Sequence, residues 1–285
     1  MTAGAAAGPI FAIDRMGRHG RMSAMTFDSI VSRRTVLRLG AAGAALAVGL
    51  PSADAAARRV GALILLARDL PTIAERIDFI SRALIGTPYR GYTLIGGPHR
   101  PERFVVRDDC FDCVTYCETV LAAARAERLS DFEPELRRIR YHNGVVAWRA
   151  RNHYFADWSA NNVADGICTR VILPGGEIVD KTLTYMRALG PRRVSFDAIP
   201  RASVLANRAR LMTGDIIGFL SSRPRLDYFH VGFVIIAPDG ELLLRHAARS
   251  HGRVLDERLT HFLALNRVRR VTLLRPLEPV ETIEV

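Results

Sequence analysis

The chain has 285 residues, of which 49% are hydrophobic and 24% are charged, a balance that excludes a disordered chain and predicts a globular protein with one sizeable core. Its formal net charge of +11 at pH 7 comes almost entirely from arginine, since Lys181 is the sole lysine. This charge suits contact with anionic polymers. The arginines are scattered in ones and twos, without a basic helix, which argues against nucleic acid as the partner.

The beginning of the chain has the order of a bacterial export signal. A basic segment with the pair Arg33 and Arg34 is followed by the apolar run Leu39 to Leu50 and by small residues up to Ala57. Paired arginines are typical of the twin-arginine route, so we expect residues 1–57 to be removed and the twin-arginine translocon to be a transient partner. The product is predicted to be periplasmic or secreted. The apolar run is shorter than the roughly 20 residues of a membrane span, so no stable span is expected.

Residues 58–285 are predicted to form a single α+β domain. Apolar residues at helical spacing favour a helix from Asp69 to Tyr89. Further helices are predicted from Asp112 or Cys113 to about Arg125 and over Asp131 to Tyr141. Short aliphatic runs separated by turn residues predict antiparallel strands at Asp215 to Leu220, Val231 to Ala237, Glu241 to Ala247 and Val271 to Arg275. Helices followed by a strand meander are typical of α+β proteins. The oligomeric state is not predicted.

Cys113 lies where the second of these helices begins. Asp112 is a good N-cap, which places Cys113 in the first turn. Unpaired backbone N–H groups and the positive end of the helix dipole stabilise a thiolate there. The same N–H groups could bind the oxyanion that forms when sulfur attacks a carbonyl. Cys113 is therefore the candidate nucleophile, and it needs a base from elsewhere.

Two histidines on a predicted hairpin could supply that base. If the chain turns through the three residues 238–240, Gly232 faces His246 and His230 lies diagonal to His246 on the same face, at roughly 7 Å between backbones. A two-residue turn would place the histidines on opposite faces. With the first register, His246 orients His230 while His230 takes the proton from Cys113.

Several motifs together resemble the N-acetylmuramoyl-L-alanine amidase-like family, long labelled a domain of unknown function, which is similar to NlpC-type cysteine peptidases with a papain-like core. The matching segments, in chain order, are residues 86–89, 111–122, 151–155 with Trp158 and 161–162, 214–217, 230–232 and 246–247. The resemblance implies a papain-like or NlpC-like fold in which the nucleophile at a helix N-terminus packs on an antiparallel sheet.

The resemblance also implies roles for individual residues. Cys113 would be the nucleophile, His230 the general base and His246 the third polar residue. Tyr89 and Asp112 would lie beside the active site, and the segment 151–162 would help to form the substrate cleft. The substrate-binding residues implied in this way are Tyr89, Asp112, Trp158, Asn161 and Asn162. The expected activity is hydrolysis of an amide in peptidoglycan or its fragments, without a cofactor or a metal.

Three other interpretations remain open. Cys110 and Cys113 form a C-x-x-C pair at a helix start, which is typical of thiol-disulfide enzymes and could form a disulfide in an oxidising compartment. Cys110, Cys113 and Cys117 with a histidine could bind zinc or iron. A peptidoglycan-binding module with a silent site is the third alternative. Which amide is cleaved, and whether the substrate is polymer or a released fragment, is not predicted.

Overall fold

The computed structural model describes residues 53–279 of the chain. Its helices, in chain order, are α1 (Ala53–Ala67), α2 (Ile73–Ala83), α3 (Cys113–Arg125), α4 (Leu129–Arg140), α5 (Phe155–Ala164), α6 (Arg201–Ala206) and α7 (Leu259–Leu265). The helices predicted near residues 69–89, 113–125 and 131–141 are confirmed as α2, α3 and α4. No helix between residues 53 and 279 is both long and apolar enough to cross a membrane.

The strands form one small hairpin and one large antiparallel sheet. They are β1 (Ile95–Gly97), β2 (Arg100–Arg103), β3 (Cys168–Arg170), β4 (Glu177–Leu183), β5 (Arg192–Pro200), β6 (Ile216–Leu220), β7 (Tyr228–Ile236), β8 (Leu242–Ala248), β9 (Arg253–Arg258) and β10 (Arg270–Pro276). The large sheet has the order β4-β5-β10-β6-β7-β8-β9, and β3 also pairs with β10. The four predicted strands are confirmed as β6, β7, β8 and β10, and the α+β class is confirmed.

Helix α2 begins later than the sequence predicts because a capping box fixes its start. The Thr72 hydroxyl accepts a hydrogen bond from the Glu75 N–H at 3.2 Å, and the Glu75 carboxylate accepts one from the Thr72 N–H at 3.0 Å. The apolar face predicted for this helix, which includes Ile77 and Ile80, is fully buried. α2 therefore packs as the amphipathic pattern indicates.

Helix α3 lies at the centre of the molecule. Every residue from Thr115 to Arg125 is buried, because α3 packs against other helices on one side and the large sheet on the other. Tyr116 meets the ring of Phe233 on β7 edge to face at 5.9 Å and donates its hydroxyl proton to the Ser81 carbonyl of α2 at 3.1 Å. The helix that begins at Cys113 is thus held rigidly against the strand that carries His230.

The predicted boundary at residue 57 falls inside α1. Val60 and Ile64 of this helix are buried in the main core, so the part of α1 after the predicted boundary belongs to the folded domain. The rest of the predicted export signal lies outside the described residues. The place of cleavage stays a prediction.

Candidate active site

Asp112 fixes the start of α3. Its carboxylate accepts hydrogen bonds from the N–H groups of Val114 at 3.1 Å and Thr115 at 2.8 Å, and the Thr115 hydroxyl accepts one from the Asp112 N–H at 3.0 Å. This arrangement is a capping box with Asp112 in the N-cap position. Cys113 is therefore the first residue of the helix, as the sequence predicts.

The Cys113 sulfur is enclosed between α3 and β7. The residue is 1% exposed, and the backbone N–H of Val231, the residue after His230, faces its sulfur. Burial, followed by the charges of Asp112 and Cys117, raises the pKa of the Cys113 thiol well above its ordinary value of 9.0, and the Val231 N–H only partly opposes this. The thiolate expected from the helix start alone is thus not the resting form. Cys113 rests as a thiol and requires a base.

The hairpin of β7 and β8 has the register that the three-residue turn predicts. The Ala237 N–H donates to the Glu241 carbonyl at 2.9 Å, and Val234 faces Leu244. His230 Nε2 lies 2.5 Å from His246 Nδ1, and the two rings meet edge to face. The predicted contact between the histidines is confirmed.

Gly232 allows this contact. The regular pairing of β7 and β8 ends at Phe233 and Arg245, so the next pair in the same register is Gly232 and His246. A Cβ atom at Gly232 would lie 2.9 Å from His246 Cβ and 2.9 Å from the Arg245 carbonyl oxygen. A side chain at this position would push β8 away from β7, and only glycine leaves His246 in place.

The histidine pair is surrounded by aromatic rings. His230 stacks on Phe219 at 6.0 Å, and the Phe262 ring of α7 lies 5.4 Å from His230 and 5.6 Å from His246. Burial, and next the charge of His246, lowers the pKa of His230 well below its ordinary value of 6.5. His230 is therefore neutral at pH 7, which is the form that can accept a proton.

Glu257 also belongs to this cluster, although sequence reasoning did not identify it. Its Oε1 lies 2.7 Å from His246 Nε2, a close contact of opposite polarity whose angle is outside that of a hydrogen bond. Glu257 is on β9, a strand that the aliphatic runs of the sequence do not indicate. Residues 253–258 hold only two adjacent apolar residues, Val254 and Leu255, among charged ones, so neither alternation nor an aliphatic run signals this strand.

Tyr89 lies beside Cys113, as the family resemblance implies. Its segment is held between the loop before α3 and the start of β9: Arg90 donates its N–H to the Phe111 carbonyl at 2.8 Å, and Tyr89 donates its N–H to the Gly252 carbonyl at 2.8 Å. Burial, with the nearby charges of Cys113 and Asp112, raises the pKa of the Tyr89 phenol. The half-buried phenol is therefore a protonated hydrogen-bond donor at the edge of the site.

Trp158, Asn161 and Asn162 lie elsewhere, on α5. The Trp158 ring is 1% exposed and Asn162 is fully buried, with its amide donating to the Trp158 carbonyl at 2.7 Å. Asn161 is half-buried and donates its amide to Asn152 Oδ1 at 2.7 Å. Trp158 and Asn162 have no side-chain surface to offer a substrate, because they fill the core between α5 and its neighbours. Their role in the structure is packing.

The four cysteines are free thiols. Burial raises the pKa of the Cys110 thiol, and the nearby charges of Arg107 and Arg90 only partly oppose this. Within residues 53–279, no three His, Cys, Asp or Glu side chains are grouped so that they could hold a metal ion.

The fold and the site thus define an α+β protein with a buried thiol at a capped helix start and a histidine pair on the adjoining antiparallel sheet. The family model described as AmiA-like, N-acetylmuramoyl-L-alanine amidase-like, matches residues 79–268. The chain therefore belongs to the N-acetylmuramoyl-L-alanine amidase-like family. No curated protein is significantly similar to it in sequence.

Three solved structures illustrate the fold. A protein from Legionella pneumophila is 23% identical with a TM-score of 0.68, and the match covers 80% of this chain and 98% of that one. An N-acetylmuramoyl-L-alanine amidase from Bacteroides uniformis is 26% identical with a TM-score of 0.61, covering 77% and 100%. A Bacteroides fragilis protein described as a candidate xylanase is 26% identical with a TM-score of 0.59, covering 68% and 98%. The fold is therefore shared by proteins with different described activities, and the site must decide the chemistry.

Proposed function

We propose that the protein is an exported cysteine hydrolase that cleaves an amide bond in peptidoglycan or its fragments. The observation that carries this proposal is the 2.5 Å contact of His230 with His246, on the strand whose Val231 N–H faces the Cys113 sulfur. A nucleophile, a base and a group that orients the base are the parts that a cysteine amidase requires. Membership of an amidase-like family supports the same chemistry.

The resting pair is a neutral thiol and a neutral imidazole, because burial raises the pKa of Cys113 and lowers that of His230. On substrate binding, His230 takes the thiol proton and the sulfur attacks the amide carbon. Because the Asp112 cap already accepts the N–H groups of Val114 and Thr115, the Cys113 N–H is the donor of this turn that is left to hold the resulting oxyanion. His230 then gives its proton to the leaving amine and the C–N bond breaks, which leaves a thioester on Cys113. Water, deprotonated by His230, attacks the thioester and releases the acid and the thiol.

The substrate assignment rests on the family and on the charge of the protein. Peptidoglycan stem peptides carry free carboxylates, and residues 58–285, which would remain after export, keep a formal net charge of +8, so long-range attraction favours their encounter. Two bonds fit the chemistry equally: the lactyl-to-L-alanine amide and an amide within the stem peptide. The export of the protein through the twin-arginine route would bring it to this substrate.

Digestion of defined muropeptides by the full chain, with product masses read by mass spectrometry, tests the activity and identifies the bond. Cys113→Ala should abolish product formation and labelling by a thiol-directed acylating probe. Cys168→Ala is the matched control, because it removes a buried thiol from β3 and should retain activity. Hydrolysis by Cys113→Ala at the unaltered rate would exclude cysteine catalysis.

Fractionation of cells that express the full chain tests export. Replacing Arg33 and Arg34 by lysine should retain the precursor in the cytoplasm, while the unaltered protein reaches the periplasm or the medium. Periplasmic protein in the same amount from both genes would exclude the twin-arginine route.

A further inference from the structure

We propose that Glu257 is a positioning residue that fixes the proton arrangement of the histidine pair and so keeps one nitrogen of His230 ready to accept the Cys113 proton. This inference rests on the proposed function for its catalytic meaning. The tautomers that it predicts for the two histidines do not depend on which substrate is cleaved.

Three adjacent strands carry the cluster on one face of the sheet. Glu257 on β9 faces Leu244 on β8, and Leu244 and His246 share a face because they are two residues apart. His230 on β7 lies two residues before Gly232, the position opposite His246. The three polar side chains therefore form a diagonal line across β7, β8 and β9, a geometry in which each can reach the next.

The contacts of this line determine where the protons lie. A carboxylate 2.7 Å from His246 Nε2 favours a proton on that nitrogen, since an imidazole lone pair would be repelled by it. In a neutral His246, Nδ1 is then the acceptor. His230 Nε2, 2.5 Å away, must therefore be the donor. His230 is left with an unprotonated Nδ1, which is the atom that can act as base.

The surroundings of Glu257 keep it ionised. Burial raises the pKa of its carboxyl, but the contact with His246 and the charges of His246, His251 and His261 outweigh burial, and the pKa ends below its ordinary value of 4.5. These histidines come from β8, the β8–β9 turn and α7. Its negative charge, 2.7 Å from His246 Nε2, also stabilises the imidazolium that forms when His230 takes the thiol proton.

Steady-state kinetics with a muropeptide substrate test the proposal in three variants of the full chain. Glu257→Gln keeps the size and removes the charge, Glu257→Asp restores a carboxylate, and Glu241→Gln is the matched control. Glu241 pairs with the exposed Arg258, the residue next to Glu257 on β9, so its loss reports on the ion pairs of this sheet edge without touching the histidines.

We expect Glu257→Gln to lower kcat on the order of 10-fold to 100-fold with little change in KM, by analogy with other groups that orient a functional histidine. The acid limb of its pH profile should move to lower pH, because a removed negative charge lowers the pKa of the histidine pair. Glu257→Asp should recover part of kcat, and Glu241→Gln should match the unaltered protein. An unchanged acid limb and kcat in Glu257→Gln, or equal losses in both Gln variants, would overturn the proposal.

Nitrogen-15 NMR of the histidine rings at pH 8 supplies a readout that needs no substrate. The unaltered protein should show His246 protonated at Nε2 and His230 protonated at Nε2, and Glu257→Gln should show a mixture of tautomers. The thermal unfolding temperature of each variant shows whether a loss of activity comes from a loss of stability or from a change in the histidine tautomers. If no muropeptide is cleaved but the tautomers are as expected, the proposed function fails and the positioning role of Glu257 stands. If the enzyme is active but the tautomers are the opposite ones, the positioning role of Glu257 fails and the proposed function stands.

Discussion

Two neighbouring pairs on β8 and β9 show how one sheet uses charge in different ways. Arg245 and Asp256 face each other directly and join by two hydrogen bonds of 2.7 and 2.8 Å. Their chain neighbours, His246 and Glu257, point to the other face and share one contact of 2.7 Å. Only one step along each strand separates the two pairs, because successive side chains of a strand point to opposite faces.

The difference lies in how completely each charge is satisfied. Arg245 is 3% exposed and also binds α2, through Asp78 Oδ1 at 2.8 Å and the Ser81 hydroxyl at 3.0 Å. A permanently charged guanidinium with this many acceptors has no proton to give, so the pair fastens β8 and β9 to α2. The histidine side has fewer partners and a proton that can move. A fixed charge network on one face of the sheet thus fastens β8 and β9 to α2, and a titratable pair lies on the opposite face.

Loss of Arg245 should give the largest effect on stability. Arg245→Met leaves the Asp256 and Asp78 carboxylates without their buried partner, and we expect the free energy of unfolding to fall by about 3–5 kcal/mol. Urea denaturation measures the fall. The control Arg258→Met breaks an ion pair whose arginine side chain is 70% exposed, and should cost at most about 1 kcal/mol. Equal losses of unfolding free energy in the two variants would show that the buried ion pair stabilises the fold no more than the exposed one.

Loss of His246 should act mainly on catalysis. His246→Gln removes the group that orients His230, and kcat/KM should fall roughly 100-fold to 1,000-fold, while urea denaturation should show a smaller loss than that of Arg245→Met. Retained activity together with a large loss of stability would make His246 a structural residue like its neighbour.

Gly232→Ala should disturb the histidine pair through packing. The added methyl group would lie 2.9 Å from His246 Cβ, so we expect a loss of about 1–3 kcal/mol in stability, together with lower activity as the two rings separate. Gly97→Ala is the control, because its nearest atom would be Arg100 Cβ at 3.8 Å. Full activity in Gly232→Ala would show that the ring contact tolerates displacement of β8.

The smallest expected effect is that of pH on the unaltered enzyme. The active form needs a neutral His230 and a protonated Cys113; the pKa of the first lies below 6.5 and that of the second above 9.0. Activity should therefore be lost only as pH falls below 6.5 or rises above 9.0, and a profile of kcat/KM should be flat between them. A decline centred at pH 7 would contradict the neutral pair.

The sequence determined the parts of the site that local chemistry fixes. Asp112 caps α3 because its carboxylate reaches N–H groups within its own turn. The turn at residues 238–240 sets the hairpin register, and the period of two in a strand then brings His230 to His246. Each of these outcomes depends on residues close in the chain or on one hairpin, so a pattern of residues is enough to predict them.

Tertiary structure decided the rest, because it depends on which surfaces meet. Burial between α3 and β7 raises the pKa of Cys113, whereas the position of the residue at a helix start predicts a lowered pKa. Trp158 looked like a cleft residue and lies in the core, since an aromatic side chain suits both places. Glu257 reaches His246 only because β9 pairs with β8. Desolvation and strand neighbours are properties of the packed chain, and no local pattern encodes them.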